Sequence, residues 1–275
     1  MFNYRLVFQF LGLLLLIEGI CMWLCIPVSM FFHDHGLLPL GISGIISVCT
    51  GGAALIINRK ATKSMSARDG FLIVAIGWIT FSFFGCLPFI LSGEIPSFTD
   101  AYFETISGFT TTGASILDQV EILPHGLLFW RSLTQWLGGM GIIVMSLAIL
   151  PLLGVGGMQL FVAEVPGPLP DKLHPKIKET AKRLWAIYII FTILEILLLW
   201  LGDMDLFDAI CHSFSTMATG GYSTKTASIA HWDSPFIHYV ITLFMFLAGT
   251  NFTLSYLPCT AGLTRSGGMR NSGIM

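Results

Sequence analysis

Eight residues in two stretches suit one kind of chemistry, the coordination of a dehydrated cation by backbone oxygens. The first stretch, residues 97–115, reads SFTDAYFETISGFTTTGAS. Its segment 100–109 is semi-apolar and makes about three helical turns, too short for a hydrocarbon core that needs roughly 20 residues. Thr110, Thr111, Thr112 and Gly113 follow. Their low helix propensity, and the freedom of Gly113 to take positive φ, predict extended, irregular backbone. Such backbone at membrane depth is stable only inside protein or along a water-filled cavity. A half-helix leading into it leaves carbonyls free to replace the water around an ion. The plainer alternative is a polar loop that joins two spans outside the membrane.

A repeat favours the first reading. A shift of 108 positions lays LFDAICHSFSTMATGGYS, residues 206–223, on residues 98–115 without a gap: Asp100 meets Asp208, Ala101 Ala209, Ser107 Ser215, Gly113 Gly221 and Ser115 Ser223. The second loop therefore offers Ala218, Thr219, Gly220 and Gly221. Self-similarity at a fixed period marks repeated architecture, and membrane transporters place ion sites where such repeats meet. Asp100 and Asp208 are expected to cap the two short helices, each a carboxylate at the positive dipole end. The loops differ at two places, Ala218 against Thr110 and Gly220 against Thr112, so their contributions to ion selection need not be equal.

The elements that must hold these loops are apolar runs. A hydrophobic share of 54%, 11% charged residues and a mean hydropathy of +0.78 describe an all-α polytopic membrane protein. Residues 6–28 read as a first span, too long for the apolar region of a signal peptide and followed by no small-residue cleavage site. Residues 37–57 form a second span, rich in Gly41, Gly44, Gly51 and Gly52, which allow close helix approach. Span 71–91 carries Pro88 near its end, and segment 125–153 holds Gly138, Gly139 and Gly141, a packing face or a bend. Residues 184–201 and 235–254 complete the set.

The expected organisation is an N-terminal helix hairpin and linker over 1–69 and a first span, pore loop and span over 70–154. A linker over 155–183, a second such repeat over 184–256 and a divergent tail over 257–275 follow. The six cysteines form no metal or disulfide framework, and a net charge of -2 without basic blocks gives no reason for nucleic-acid binding.

With a cytoplasmic N-terminus, 12 of the 14 basic residues face inward and only Arg131 and Lys225 face outward, which fits the positive-inside rule. Both loops then enter from the outer side beside Glu94, Asp100, Glu104, Asp203, Asp205 and Asp208, an acidic vestibule that concentrates cations. Asp118, Glu121 and Asp233 are read as solvated charges, as is the turn His33-Asp34-His35. Glu18 and Glu195 are intramembrane carboxylates, expected to pair with polar groups on neighbouring helices or, less readily, to serve ion coupling. An intramembrane enzyme built on His212, Ser213 and Asp208 is the alternative from another class, but adjacent helix positions face apart and no nucleophile elbow surrounds them. A non-transporting assembly subunit is a third reading.

The TTTGA loop, the run FWRSLTQWLGGMGIIVMSLAILPLLGVGGMQLF from Phe129, and FDAICHSFSTMATGGYST resemble the bacterial TrkH-type potassium uptake proteins of the Trk/Ktr/HKT superfamily. The resemblance runs from the N-terminus to about Asn251-Phe252-Thr253-Leu254 and is absent from the tail. It implies four span-loop-span repeats around one pore after an N-terminal helix pair, of which this chain holds the first two, so a truncated half that does not conduct selectively by itself is expected. It also implies potassium as transported substrate with no organic cofactor, held by the backbone of Thr111, Thr112, Thr219 and Gly220 in a filter whose selectivity depends on Gly113 and Gly221. A homodimer, a cytosolic nucleotide-binding regulatory subunit of the TrkA kind and a place in the bacterial inner membrane are further implications. Channel-like and ion-coupled movement both stay open.

Overall fold

The structure is a computed structural model that describes residues 3–60, 67–139, 141 and 177–249. The later part of the 125–153 segment, most of the 155–183 linker, the end of the last span and the 257–275 tail lie outside the described residues, as do Lys63, Lys172, Lys176, Arg265 and Arg270. Every regular element among the described residues is helical.

Helix α1, Tyr4–Phe31, is 28 residues long and opens on Asn3, whose side chain accepts the Leu6 amide. At 1.5 Å per residue it reaches about 42 Å, well beyond a hydrocarbon core of about 30 Å. Helix α2, Leu37–Ile57, runs back along it. Two glycine pairs set their separation. A Cβ built on Gly51 would lie 2.5 Å from the Gly12 carbonyl oxygen, and one on Gly19 would lie 2.8 Å from the Gly44 oxygen. Both pairs are seven residues apart on each helix, so one antiparallel seam carries them. Gly41 and Gly52 face open space instead.

The third span is two helices, α3, Ala67–Gly85, and α4, Leu87–Ser92. Pro88 lacks the amide that would continue the ladder, and the chain steps at Cys86 before the helix resumes. Gly93, at φ 80°, ends it. Helix α5, Phe98–Phe109, has 12 residues and packs against α3 and α6, His125–Gly139. In the second repeat α7, Ile177–Leu201, begins inside the stretch read as linker, followed by α8, Leu206–Met217, and α9, Pro235–Gly249. Helix α8 packs against α7, α6 and α9, so α6 borders both short helices.

Among the described residues four helical segments are long and apolar enough to cross a membrane: Tyr4–Phe31, Leu37–Ile57, Asp69–Ser92 and Lys182–Leu201. The outward faces are apolar, with Leu38, Ile57 and Leu201 well exposed on these segments and Phe246 on the shorter α9, while Phe10, Phe89, Phe109, Trp130 and Tyr188 fill the interior. A soluble protein would not leave so much apolar surface in contact with water. This is a multi-pass membrane protein.

The glycine seam yields a paired test. Gly51→Ala forces α1 and α2 apart and is expected to cost about 1 to 3 kcal/mol, the range for overpacking. Gly52→Ala meets nothing and gains up to about 1 kcal/mol of helix propensity. Thermal denaturation in detergent, followed by loss of the monodisperse peak, should rank Gly52→Ala at or above the parent and Gly51→Ala below it.

Candidate functional site: the paired re-entrant loops

The two short helices begin one turn earlier than their aspartates. Ser97 caps α5 by accepting the Asp100 amide at 3.4 Å, and Asp205 caps α8 by accepting the Phe207 amide at 3.0 Å. Asp100 and Asp208 are therefore not the caps. They sit in the first turn, where a carboxylate still meets the positive end of the helix. Asp208 is buried, accepts from the Thr224 hydroxyl at 2.6 Å and lies 3.5 Å from the Lys225 ammonium.

Three amide bonds at each helix end match between the repeats. In the first repeat the amides of Thr110, Thr111 and Thr112 reach the carbonyls of Ile106, Gly108 and Ser107, and in the second those of Ala218, Thr219 and Gly220 reach Phe214, Thr216 and Ser215. The last two bonds of each set make a Schellman closure, which requires a left-handed residue just past the cap. That residue is Thr111 in one copy and Thr219 in the other, both at φ 55°. A β-branched residue there is strained, and such strain persists only where the surroundings over-determine it. Gly113 and Gly221, two residues on, have φ of 76° and 87°. Sequence reasoning found the glycines but missed the threonines, because threonine is a poor candidate for this region.

These closures satisfy the carbonyls of residues 106–108 and 214–216 and leave those of the loops alone. Among the described residues no hydrogen bond reaches the carbonyls of Thr110, Thr111, Thr112 and Gly113, or those of Ala218, Thr219, Gly220 and Gly221. The loops also touch each other, since a Cβ built on Gly113 would fall on the Gly220 carbonyl oxygen. Helix α6 backs both loops: a Cβ on Gly138 would fall on the Phe109 oxygen, and one on Gly139 would lie 2.6 Å from the Ala218 Cα. The glycine cluster is a packing face at these two positions.

A buried network fixes the outer ends of the loops. Arg131 on α6 donates from Nε to Glu104 Oε1 at 2.7 Å and from Nη1 to the Ser223 carbonyl at 3.1 Å, and its guanidinium stacks 3.5 Å from the Tyr222 ring centre. Glu104 also accepts the Ser115 hydroxyl at 3.0 Å and the Ile116 amide at 2.9 Å, while the Tyr222 hydroxyl donates to the Glu104 carbonyl at 2.6 Å. In the second repeat His212 stands where Glu104 stands in the first, and its Nε2 pairs with Ser223 Oγ at 2.9 Å. Each short helix thus tethers the serine that follows its loop.

Several charges therefore lie elsewhere than expected. Glu104 and Asp208 do not line an open vestibule, and Arg131 is not an outward-facing loop charge; the pair Glu104 and Arg131 is buried behind the loops. Glu121 is more than a solvated charge. It accepts the Thr226 amide at 2.7 Å and the Thr226 hydroxyl, which hold its carboxyl down at about 2 and join the first repeat to the second. Asp34 accepts the Gly126 amide at 3.1 Å and so binds the hairpin turn to the start of α6.

Glu18 is fully buried beside Gly85, Thr105 and Phe109 and has no hydrogen-bond partner among the described residues, while Glu195 faces Thr216 without an ion pair. Among the described residues the polar partner expected on a neighbouring helix is therefore missing for Glu18, whereas Glu195 has Thr216 on α8 beside it. His212 does not activate Ser213, since its Nδ1 meets the Asp208 carbonyl at 2.7 Å and its Nε2 is taken by Ser223. No cluster of three metal-binding side chains occurs among the described residues.

A family model described as TrkH, a cation transport protein, matches residues 40–261. The Trk system potassium uptake protein TrkH of Escherichia coli K12 is 45% identical over 257 residues, covering 92% of this chain and 53% of that protein. TrkG of the same organism is 38% identical over 257 residues, covering 93% of this chain and 53% of the relative. The crystal structure of the potassium transporter TrkH from Vibrio parahaemolyticus superposes with a TM-score of 0.80 at 38% identity, covering 94% of this chain and 53% of that one. The chain spans about half the length of the relatives it matches. It belongs to the TrkH family of cation transport proteins.

Proposed function

We propose that the two loops form part of a potassium-selective path across the membrane, with Thr110 to Gly113 and Ala218 to Gly221 supplying backbone oxygens to the ion. The observation that carries this reading is the row of four carbonyls in each loop that accept no hydrogen bond among the described residues, directly after helix-end amides that are bonded in matching pattern. A cation is the group that satisfies carbonyls without donating a hydrogen bond. Thr111, Thr112, Thr219 and Gly220 are assigned the closest contacts. The carboxyl ends of α5 and α8 point partial negative charge toward the same place.

A ring of carbonyls around an ion takes four loops, and this chain supplies two, so the conducting unit contains two further repeats. The N-terminal hairpin, first repeat and second repeat are assigned to 1–69, 70–154 and 184–256, with the leading helix of the second repeat reaching back to Ile177. The relatives are named as parts of a Trk system, and the partners proposed here are a second copy of the transporter and a cytosolic nucleotide-binding regulatory subunit. The membrane proposed is the bacterial inner membrane, with the N-terminus in the cytoplasm.

Two tests follow. In a four-repeat transporter carrying these repeats, Gly113→Ser meets both a left-handed φ, worth about 1 to 2 kcal/mol, and the Gly220 carbonyl. Gly221→Ser meets the φ cost alone, because its surroundings are open. Both should lower potassium-over-sodium discrimination in bi-ionic flux measurements, Gly113→Ser with the larger loss of total uptake. Unchanged discrimination in both would remove the assignment. For orientation, single cysteines at Lys60 and Asp233 should react with a membrane-impermeant reagent from the inside and the outside of intact cells respectively, and the reverse pattern would overturn the topology.

A further inference from the structure

Gln135 is buried to 0% exposure on α6, between the two loops and away from solvent. It belongs to the stripe Arg131, Gln135, Gly138 and Gly139, spaced so that all four fall on one helical face. That face carries every contact α6 makes to the loops described above. Its Oε1 accepts the Tyr222 amide at 3.1 Å, which pins the residue just past Gly221. Among the described residues its Nε2 has no acceptor.

The unsatisfied Nε2 is not at the margin of the site. A Cβ built on Gly220 would lie 2.5 Å from both Nε2 and Oε1 of Gln135, and one built on Gly113 would lie 3.8 Å from Nε2. The side-chain amide therefore lies flat against the Gly220 backbone and reaches toward Gly113 in the other loop. Gly220 has no Cβ because the amide occupies that space. A buried NH2 without a partner is costly, whereas methionine or leucine would fill a similar volume with no polar group to satisfy. The acceptors without donors in this neighbourhood are the loop carbonyls themselves.

We infer that Gln135 is a positioning residue for ion selection, in which the Nε2 hydrogens serve as the reserve donor for a loop carbonyl that turns away from the ion. While a cation holds the carbonyls, the amide is idle. When a peptide rotates outward, the amide captures its oxygen, so the loops keep two defined arrangements instead of a continuous range of widths. The oxygen half of the same amide holds Tyr222 and sets the distance at which this happens. A smaller ion asks the carbonyls to collapse inward further than a larger one does, so loops tethered from behind discriminate by size. This inference rests on reading the two loops as the ion path.

The experiment compares Gln135→Glu, Gln135→Met and Gly221→Ser in a four-repeat transporter carrying these repeats, with potassium and sodium uptake measured separately in cells lacking other potassium uptake. Gln135→Met removes both the donor and the acceptor for Tyr222 without adding a charge, and is expected to lower the potassium-over-sodium ratio by about threefold to tenfold, the effect of losing one ordinary hydrogen bond, with lower total uptake. Gln135→Glu keeps the volume and the acceptor, and held neutral by burial it retains one O–H donor, so it should keep more of the ratio than Gln135→Met. If Gln135→Met folds and keeps the parent ratio while Gly221→Ser lowers it, the inference fails and the ion-path reading stands. If Gly221→Ser leaves the ratio unchanged as well, the ion-path reading fails with it.

Discussion

The constraint on which the rest depends is that backbone polar groups in a membrane have no water to fall back on. Helices meet it internally, but residues 110–113 and 218–221 do not lie in helices, and their carbonyls accept no hydrogen bond among the described residues. Protein must therefore wall these segments off from lipid while leaving one side open to something polar. The short helices, the α6 stripe and the Arg131 network are that wall. The glycine seam between α1 and α2 lies outside it, and Asp34 ties that hairpin to the start of α6.

Close packing of backbone on backbone is how the wall is made thin. Gly108, Gly138 and Gly139 let α5, α6 and the second loop approach where a side chain would collide. Gly113 plays the same part between the loops and carries a left-handed φ as well. A single methyl group at these sites has nowhere to go, because interiors packed to crystal-like density answer added volume with strain. The two strained threonines fit the same account. Thr111 and Thr219 hold left-handed φ because three amides at each helix end are already committed to fixed carbonyls.

Much of this was legible in the sequence. The 108-residue repeat gave both loops, and the structure reproduces it as matched amide bonds, matched left-handed positions and the matched buried pair Ala101 and Ala209. Composition and run length were enough for the spans. The caps were misplaced by three residues, although Ser97 with Asp100 follows the pattern of a capping serine and an acidic third position, which favours the serine. What sequence could not show was pairing across distance. Glu104 and Arg131 are 27 positions apart on different helices, and Glu121 and Thr226 belong to different repeats. Each reads alone as an exposed loop charge, because nothing in a linear pattern reports which solvent-facing end of one helix meets which end of another.

The repeat is exact in backbone and broken in charge, and the break has a physical reason. Arg131 lies close behind a proposed cation path, where an uncompensated positive charge would repel the ion. Glu104, at 2.7 Å and fully buried, cancels it and leaves a local dipole. Arginine rather than lysine suits the position, because one planar fork has to serve Glu104, the Ser223 carbonyl and the Tyr222 ring at once. Under the same shift the second repeat has His212 for Glu104 and the exposed Tyr239 for Arg131, so it holds its serine with an imidazole and no ion pair. Its acidic residue, Asp208, is answered instead by Thr224 and Lys225 at the outer end of α8. Both repeats end with their buried charge balanced, but the first balances it beside the loops and the second above them. The two loops therefore present like backbone geometry in unlike electrostatic surroundings, so the proposed ion path between them is asymmetric even where the carbonyls are equivalent.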